Sequence, residues 1–265
     1  MSWTPILPQT GYAGWAFLQK TQGRQMAHHD QQASVVRLDA HFRDRIMKVA
    51  SAEDFVKDRR LMEVALGAFG LDDDIDSRYF IRKLLEGGTE DSGAMSMRLS
   101  DTRYRDLAAA FSFGNEGGLD RQAREALAQS IPARWKARSF EKVVGEVDEN
   151  IRLAMNATRE LKALAEQDRG DKASWFGLMA QKPLRKVMET AFGLPASFGL
   201  LDLDQQYSVL TGKAKAAFGD GSVAQFADPA RMDALVKRYL VRAQMTEMAS
   251  SHSPTQVALS LLQMR

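Results

Sequence analysis

The chain has 265 residues, 45% of them hydrophobic, with a formal net charge of +2 from 36 basic and 34 acidic side chains. That is enough apolar material for one large core or two small ones. The near balance of charge gives no electrostatic case for a nucleic-acid partner. The absence of cysteine excludes disulfides, thiolate catalysis and zinc–thiolate sites.

The N-terminal stretch, residues 1–40, reads as an arm followed by a helix. Pro5 and Pro8 interrupt its start and Gly11 and Gly14 follow, so it lacks the pattern of a secretory signal peptide. No stretch approaches the ~20 apolar residues of a membrane span. Trp3, Ile6, Leu7, Tyr12, Trp15 and Phe17 form an apolar arm that packs on the chain's own core or docks on a partner. Tyr12, Trp15 and Phe17 are the candidate partner-binding residues.

Residues 41–118 read as a first helical module. From Phe55 to Phe69, Val56, Leu61, Val64, Ala65, Leu66 and Ala68 recur at helical spacing, with Ser51 and Asp54 as start signals and Gly70 as the stop. Ile75, Tyr79, Phe80, Leu84 and Leu85 step through a second helix ended by Gly87-Gly88. Tyr104, Leu107, Ala108 and Phe111 mark a third, ended at Gly114. Alternating strand patterns are missing, so the expected class is all-α.

Residues 119–170 read as one long connecting helix. Ser130 is its expected N-cap, with Pro132 in the first turn. Ala137, Phe140, Val144, Val147, Ile151, Ala154, Thr158, Leu161 and Ala165 form a heptad seam. At 1.5 Å per residue this helix would be roughly 55–60 Å long, with a kink expected at Gly145. It wraps into its own core or forms a coiled-coil seam with a second chain.

Residues 171–250 read as a second, diverged helical module. Its helices lie near Pro183–Phe192, Asp204–Phe218 and Pro229–Met248, with Asp228-Pro229 as a start signal. Residues 251–265 form a tail or short helix in which Ser253-Pro254 repeats that signal. Val257, Ala258, Leu261 and Leu262 share one face there.

An internal match relates the halves. Leu61–Leu71 reads LMEVALGAFGL and Leu184–Leu194 reads LRKVMETAFGL, agreeing at six of eleven positions. Ile75–Tyr79 then resembles Leu203–Tyr207 after a short insertion, and Asp101 and Asp106 correspond to Asp228 and Asp233. The match implies duplication of a helix, its Phe-Gly stop and a polar start to the next helix.

The same residues carry a family resemblance. Asp58-Arg59-Arg60-Leu61, Ala68-Phe69-Gly70-Leu71, Phe80-Ile81-Arg82-Lys83, Leu99–Tyr104 and Ala110–Phe113 resemble the bacterial family called domain of unknown function 1217. Phe42, Ile46 and Val49 fit the start of its module, and Gly11-Tyr12-Ala13-Gly14-Trp15 is similar to the opening of members of this length. The second half keeps Ala191–Leu194 but loses the Asp-Arg-Tyr pattern. The resemblance implies an all-helical, flagellum-associated accessory protein, because members often lie beside flagellar genes; together with the lack of a catalytic motif it leads to the expectation of a non-enzymatic protein. It implies a protein partner, with a flagellar component the expected one. The expected location is the cytoplasm, or the flagellum without a cleavable signal. It supplies no catalytic residue and no cofactor.

The only dense acidic cluster is Asp72, Asp73, Asp74 and Asp76. As a calcium loop it has Ser77 where glycine belongs and Lys83 where glutamate belongs. As the Asp-Asp-x-x-Asp magnesium motif of helical isoprenoid synthases it lacks a second metal motif. The simplest expectation is that it caps the next helix and complements its dipole. His28, His29, His41 and His252 lack zinc-site spacing, and His28-His29, on different helix faces, read as solvated polar residues. Arg121, Arg124, Arg134, Lys136, Arg138 and Lys142 read as a solvated face or an acidic-partner surface. The functional expectation is a structural or interaction protein. The alternatives are a magnesium-dependent helical enzyme using Asp72–Asp76 and a helical export chaperone or adaptor.

Overall fold

The structure, a computed structural model, describes residues 3–167 and 170–251. The described residues form thirteen α-helices and three short 3-10 turns, and they contain no strand. The all-α expectation therefore holds. The chain divides into two compact units, Met1–Pro5 with Thr21–Val143, and Ile6–Lys20 with Val144–Arg265. It changes unit within α1 (Gly11–Asp30) and again within α8 (Arg121–Val147).

The first unit contains α2 (Ala33–Ile46), α3 (Ala52–Lys57), α4 (Arg59–Phe69), α5 (Arg78–Gly87), α6 (Met95–Arg98) and α7 (Thr102–Phe111). Helix α2 packs on α4, α3 on α5, and α7 on both α4 and α5. Phe42, Ile46, Phe55, Leu61, Leu66 and Phe111 fill the core between them. The stretch expected as one helix from Phe55 is two. Ser51 caps α3 by accepting from the Asp54 N–H at 3.1 Å, and Asp58 caps α4 by accepting from the Leu61 N–H at 3.1 Å. A second strong cap seven residues after the first, on the extended backbone of Asp58, ends one helix and starts another. Helix α7 ends at Phe111 with Ser112 in the left-handed region, before the expected Gly114 stop.

The second unit contains α9 (Glu149–Ala165), α10 (Asp171–Ala180), α11 (Lys182–Phe192), α12 (Leu203–Phe218) and α13 (Pro229–Ser251). Helix α9 packs on α11 and α13, α11 on α13, and α10 on α11 and α12. Trp175, Leu210, Val223, Phe226, Leu235 and Tyr239 are among its buried side chains. The expected helices over the second half are present. The Ser253-Pro254 helix lies outside the described residues.

The single long helix expected over the middle is not observed. Helix α8 starts at Arg121, where Asp120 accepts from the Ala123 N–H at 2.7 Å, and Pro132 lies inside it. Ser130 does not cap; its hydroxyl donates back to the Ala126 carbonyl. The Ala-, Arg- and Gln-rich run before Pro132 has enough helix propensity to absorb one missing N–H. The break comes at Asp148, whose backbone is extended (φ −148°, ψ 105°) and whose carboxylate caps α9. The seam is interrupted there, since Val147 is exposed while Phe140, Val144, Ile151 and Leu161 are buried. Gly145, expected as a kink, instead leaves room for the Arg152 side chain.

The matched segments end alike. In α4, the Leu71 N–H donates to the Leu66 carbonyl at 2.9 Å and the Gly70 N–H to Gly67. In α11, the Leu194 N–H donates to Glu189 at 2.8 Å and the Gly193 N–H to Thr190. Both are Schellman stops with a left-handed glycine. Phe69 and Phe192 are both buried. Arginines clamp each stop. The Arg134 guanidinium lies 4.4 Å from the Phe69 ring centre and Arg138 abuts Gly70. Arg238 donates to the Ala191 carbonyl at 2.8 Å and Arg242 abuts Gly193. These four arginines share one pattern, Arg134-Trp135-x-x-Arg138 in α8 and Arg238-Tyr239-x-x-Arg242 in α13.

Candidate functional site

The aspartate cluster does not act as the expected helix cap. Asp72–Asp74 form their own 3-10 turn, and α5 begins at Arg78, with Ser77 at the N-cap position making no side-chain cap. Each partnered carboxylate faces a different group. Asp72 lies 3.7 Å from Lys142, Asp74 accepts from the Tyr104 hydroxyl at 2.7 Å, and Asp76 accepts from Arg59 at 2.5 Å. Burial and the Asp74 carboxylate push the Tyr104 hydroxyl up to about 12. No group of three or more potential metal ligands is present among the described residues.

One histidine, His29, is not the solvated residue expected. His29 is buried, with Nδ1 3.0 Å from Asp30 and Nε2 3.2 Å from the Ser139 hydroxyl, and it packs edge-on against Trp3 and Phe140. His41 sits 2.9 Å from both Asp58 oxygens, and Arg45 donates to the same carboxylate. Burial pushes the Asp58 carboxyl up. Hydrogen bonds from His41 and the Leu61 N–H, with the His41 charge and Arg45, outweigh burial and hold it below the usual carboxylate range. His252 lies outside the described residues.

The basic run on α8 is largely committed within the first unit. Arg124 donates to the carbonyls of Leu119, Met47 and Val49, Lys136 pairs with Asp39, and Lys142 with Asp72. Arg121 pairs with Glu125 in its own helix.

The three candidate partner-binding residues diverge. Trp15 is buried in the second unit, with its indole N–H unpartnered. Tyr12 is half-buried, with the Lys237 ammonium 5.3 Å from its ring centre. Phe17 lines an open apolar pocket of about 420 Å³ with Pro8, Gln9, Ala13, Ala16 and Lys20. The start of α1 is held by Asp148: one carboxylate oxygen accepts from the Gly11 N–H at 3.1 Å while the other caps α9 through Ile151. Gly11 has φ +63°, a conformation open to glycine but costly for other residues.

Sequence reasoning misses two apolar surfaces of the second unit. The first follows the 3-10 turn Ala196–Leu200, where Leu200 is 87% and Leu203 57% exposed, with Leu201 between them. The signal that could have found it is the short insertion before Leu203, where the second half has chain that the first lacks. The other is on α13. Val241, Met245 and Met248 are 41%, 64% and 58% exposed at i, i+4 and i+7. The side opposite carries the buried Leu235, Val236, Tyr239, Leu240 and Ala243.

These observations define an all-α protein of two helical units whose distinctive surface is apolar. The family model described as a protein of unknown function (DUF1217) matches residues 68–232. The chain belongs to that family. Among solved structures it is similar to protein AGR_C_984 from Agrobacterium tumefaciens, determined by X-ray crystallography. The two share 24% identity and a TM-score of 0.72, over 92% of this chain and 99% of that one. That likeness concerns the fold alone. A comparison with curated proteins finds no match. No helix among the described residues is long and apolar enough to cross a membrane.

Proposed function

We propose that the chain is a non-enzymatic interaction protein serving as an accessory factor in bacterial flagellar assembly or motility, and that its halves arose by duplication of a helical module. The observation that carries the interaction reading is the exposed Leu200–Leu203 segment. Large apolar side chains grouped on a surface mark a docking site, and these three run from the end of a 3-10 turn into the first residue of a capped helix, where Asp202 accepts from the Gln205 N–H at 2.8 Å. A fixed turn presents the leucines without the ordering cost of a flexible loop. The paired stops and arginine clamps support the duplication. The flagellar assignment rests on the family resemblance. The magnesium-enzyme alternative draws on Asp72–Asp76, whose partnered carboxylates face three separate groups instead of one centre.

The test is a chromosomal Leu200→Glu/Leu203→Glu variant, compared with a deletion strain in swimming and flagellar-secretion assays. The reading expects both strains to lose motility or secretion while the variant protein keeps its wild-type circular dichroism. Wild-type motility and secretion in the deletion strain would refute the flagellar role. A motile variant beside a non-motile deletion would refute the leucine surface.

A further inference from the structure

The open pocket on α1 lies within the second unit, and its walls are fixed. One side is Pro8 and Gln9. The floor is one face of α1, where Ala13, Ala16, Phe17 and Lys20 follow at i, i+3, i+4 and i+7. A Cβ at Gly14 would stand 2.0 Å from the Gln9 carbonyl oxygen, so the chain folds back this closely only because Gly14 has no side chain. Gly11 makes the turn in the left-handed region, and its N–H is held by Asp148. The pocket is therefore preformed, and an occupant does not have to order it.

The lining restricts the occupant. A volume of about 420 Å³ is within the range of small-molecule sites, but those enclose about 70–90% of their ligand and this pocket is open. A small molecule would keep one side in water, whereas a protein surface laid over the pocket closes it. The row from Ala13 to Lys20 extends about 10.5 Å along α1 at 1.5 Å per residue. A second helix laid along it matches that length with apolar anchors at i and i+4, and two alanines in the floor let its axis come close. Lys20 sets the charge. It is exposed at the end of the row and has no carboxylate partner among the described residues. Elsewhere in the same unit Lys172 pairs with Asp204 and Arg185 with Glu189. We infer that the pocket receives an acidic amphipathic helix of a partner protein, with two apolar anchors over Ala13–Phe17 and a carboxylate on Lys20. This goes beyond the leucine surface and does not depend on it.

The probe is a stapled helical peptide of about 15 residues, long enough to hold a helix, with leucines at i and i+4 and a glutamate at i+8. A matched peptide carries lysine in place of that glutamate. Each is titrated into the isotope-labelled full-length chain and followed by NMR. The glutamate peptide should bind about three- to fivefold more tightly than the lysine peptide, the scale of one exposed ion pair. Ala16→Trp, which fills the pocket, should weaken both by about tenfold or more. Lys20→Glu should invert the preference between them. Leu200→Glu/Leu203→Glu should leave both affinities unchanged, which separates this site from the leucine surface. Binding of neither peptide at millimolar concentration would overturn the proposal, as would binding indifferent to Ala16→Trp or a preference that survives Lys20→Glu. Saturable binding of octanoate that displaces the glutamate peptide would make a small amphiphile the occupant and overturn it as well. Circular dichroism establishes that each variant folds, and the Lys20→Glu inversion decides the matter should Ala16→Trp fail to fold.

Discussion

Removal of the Asp148 carboxylate should destabilise the second unit at two helix starts at once. The Asp148 side chain is buried, and its two oxygens accept from the amides of Gly11 and Ile151. These are the first turns of α1 and α9, so one carboxylate serves two helix N-termini. Replacing an N-cap with alanine costs about 1 kcal/mol, with a range of roughly 0.5–2. A buried amide left without a partner costs about 1–3 kcal/mol. Asp148→Ala creates that situation twice, less whatever water recovers, so the expected loss is about 2–4 kcal/mol. Asp148→Asn keeps one acceptor oxygen and should lose roughly half as much. Urea unfolding followed by circular dichroism gives the overall loss. Hydrogen exchange resolves where it falls, which matters because two units need not unfold together. Faster exchange is expected at both the Gly11–Trp15 turn and the Ile151–Met155 turn. A loss below about 0.5 kcal/mol would refute the reasoning. So would faster exchange confined to α9, since it would show that the Gly11 contact contributes nothing.

Phe69→Ala and Phe192→Ala should each cost roughly 3–5 kcal/mol in denaturant unfolding, the range for a buried phenylalanine; a loss below about 1 kcal/mol at either would show the two stops are not equivalent core positions. Millimolar magnesium or calcium should leave the melting temperature unchanged, and a saturable rise of several degrees abolished by Asp72→Asn with Asp74→Asn would reveal a metal site. Asp58 titrates below its ordinary value in the folded chain. Its contribution to stability is therefore present above the unfolded carboxylate pKa and lost as pH falls through the folded one. Asp58→Asn should flatten the acid limb of a stability–pH curve, and an unchanged limb would exclude this group as its source.

The fold class is legible because helical periodicity, caps and glycine stops act locally, within a turn or two of chain. The Phe69-Gly70 and Phe192-Gly193 stops and the Asp228 cap can be read directly for that reason. Breaks set by competition between neighbouring signals are harder. Asp58 and Asp148 each interrupt an apolar period that continues past them, and the heptad count runs through Asp148 because periodicity does not register a single extended residue. The partners of side chains are not legible at all. His29 meets Ser139, 110 residues away, and Asp74 meets Tyr104, 30 residues on and past two helices. No local pattern encodes pairs separated by whole helices, so the sequence suggests a cap for the cluster and solvent for the histidine.

The internal match rests on the stop itself, and the structure shows what the stop is built against. Arg134 and Arg138 in α8, and Arg238 and Arg242 in α13, stand at the negative end of α4 and α11 respectively. A cation there complements the helix dipole and the unpaired carbonyls of the last turn. This places α8 and α13 in the same role, although the sequence match aligns α13 with α7 through Asp101 and Asp228. Helix α13 thus combines the two jobs, an aspartate-capped start like α7 and an arginine clamp like α8. If the clamp is part of the repeat, Arg138→Ala and Arg242→Ala should destabilise their units by similar amounts. About 1 kcal/mol each is expected for a partly exposed cation at a helix C-terminus. That loss should shrink in high salt, because the interaction is electrostatic. A clear salt-dependent loss at one arginine and none at the other, measured side by side, would separate α8 from α13 and confine the repeat to the segment around the glycine stop.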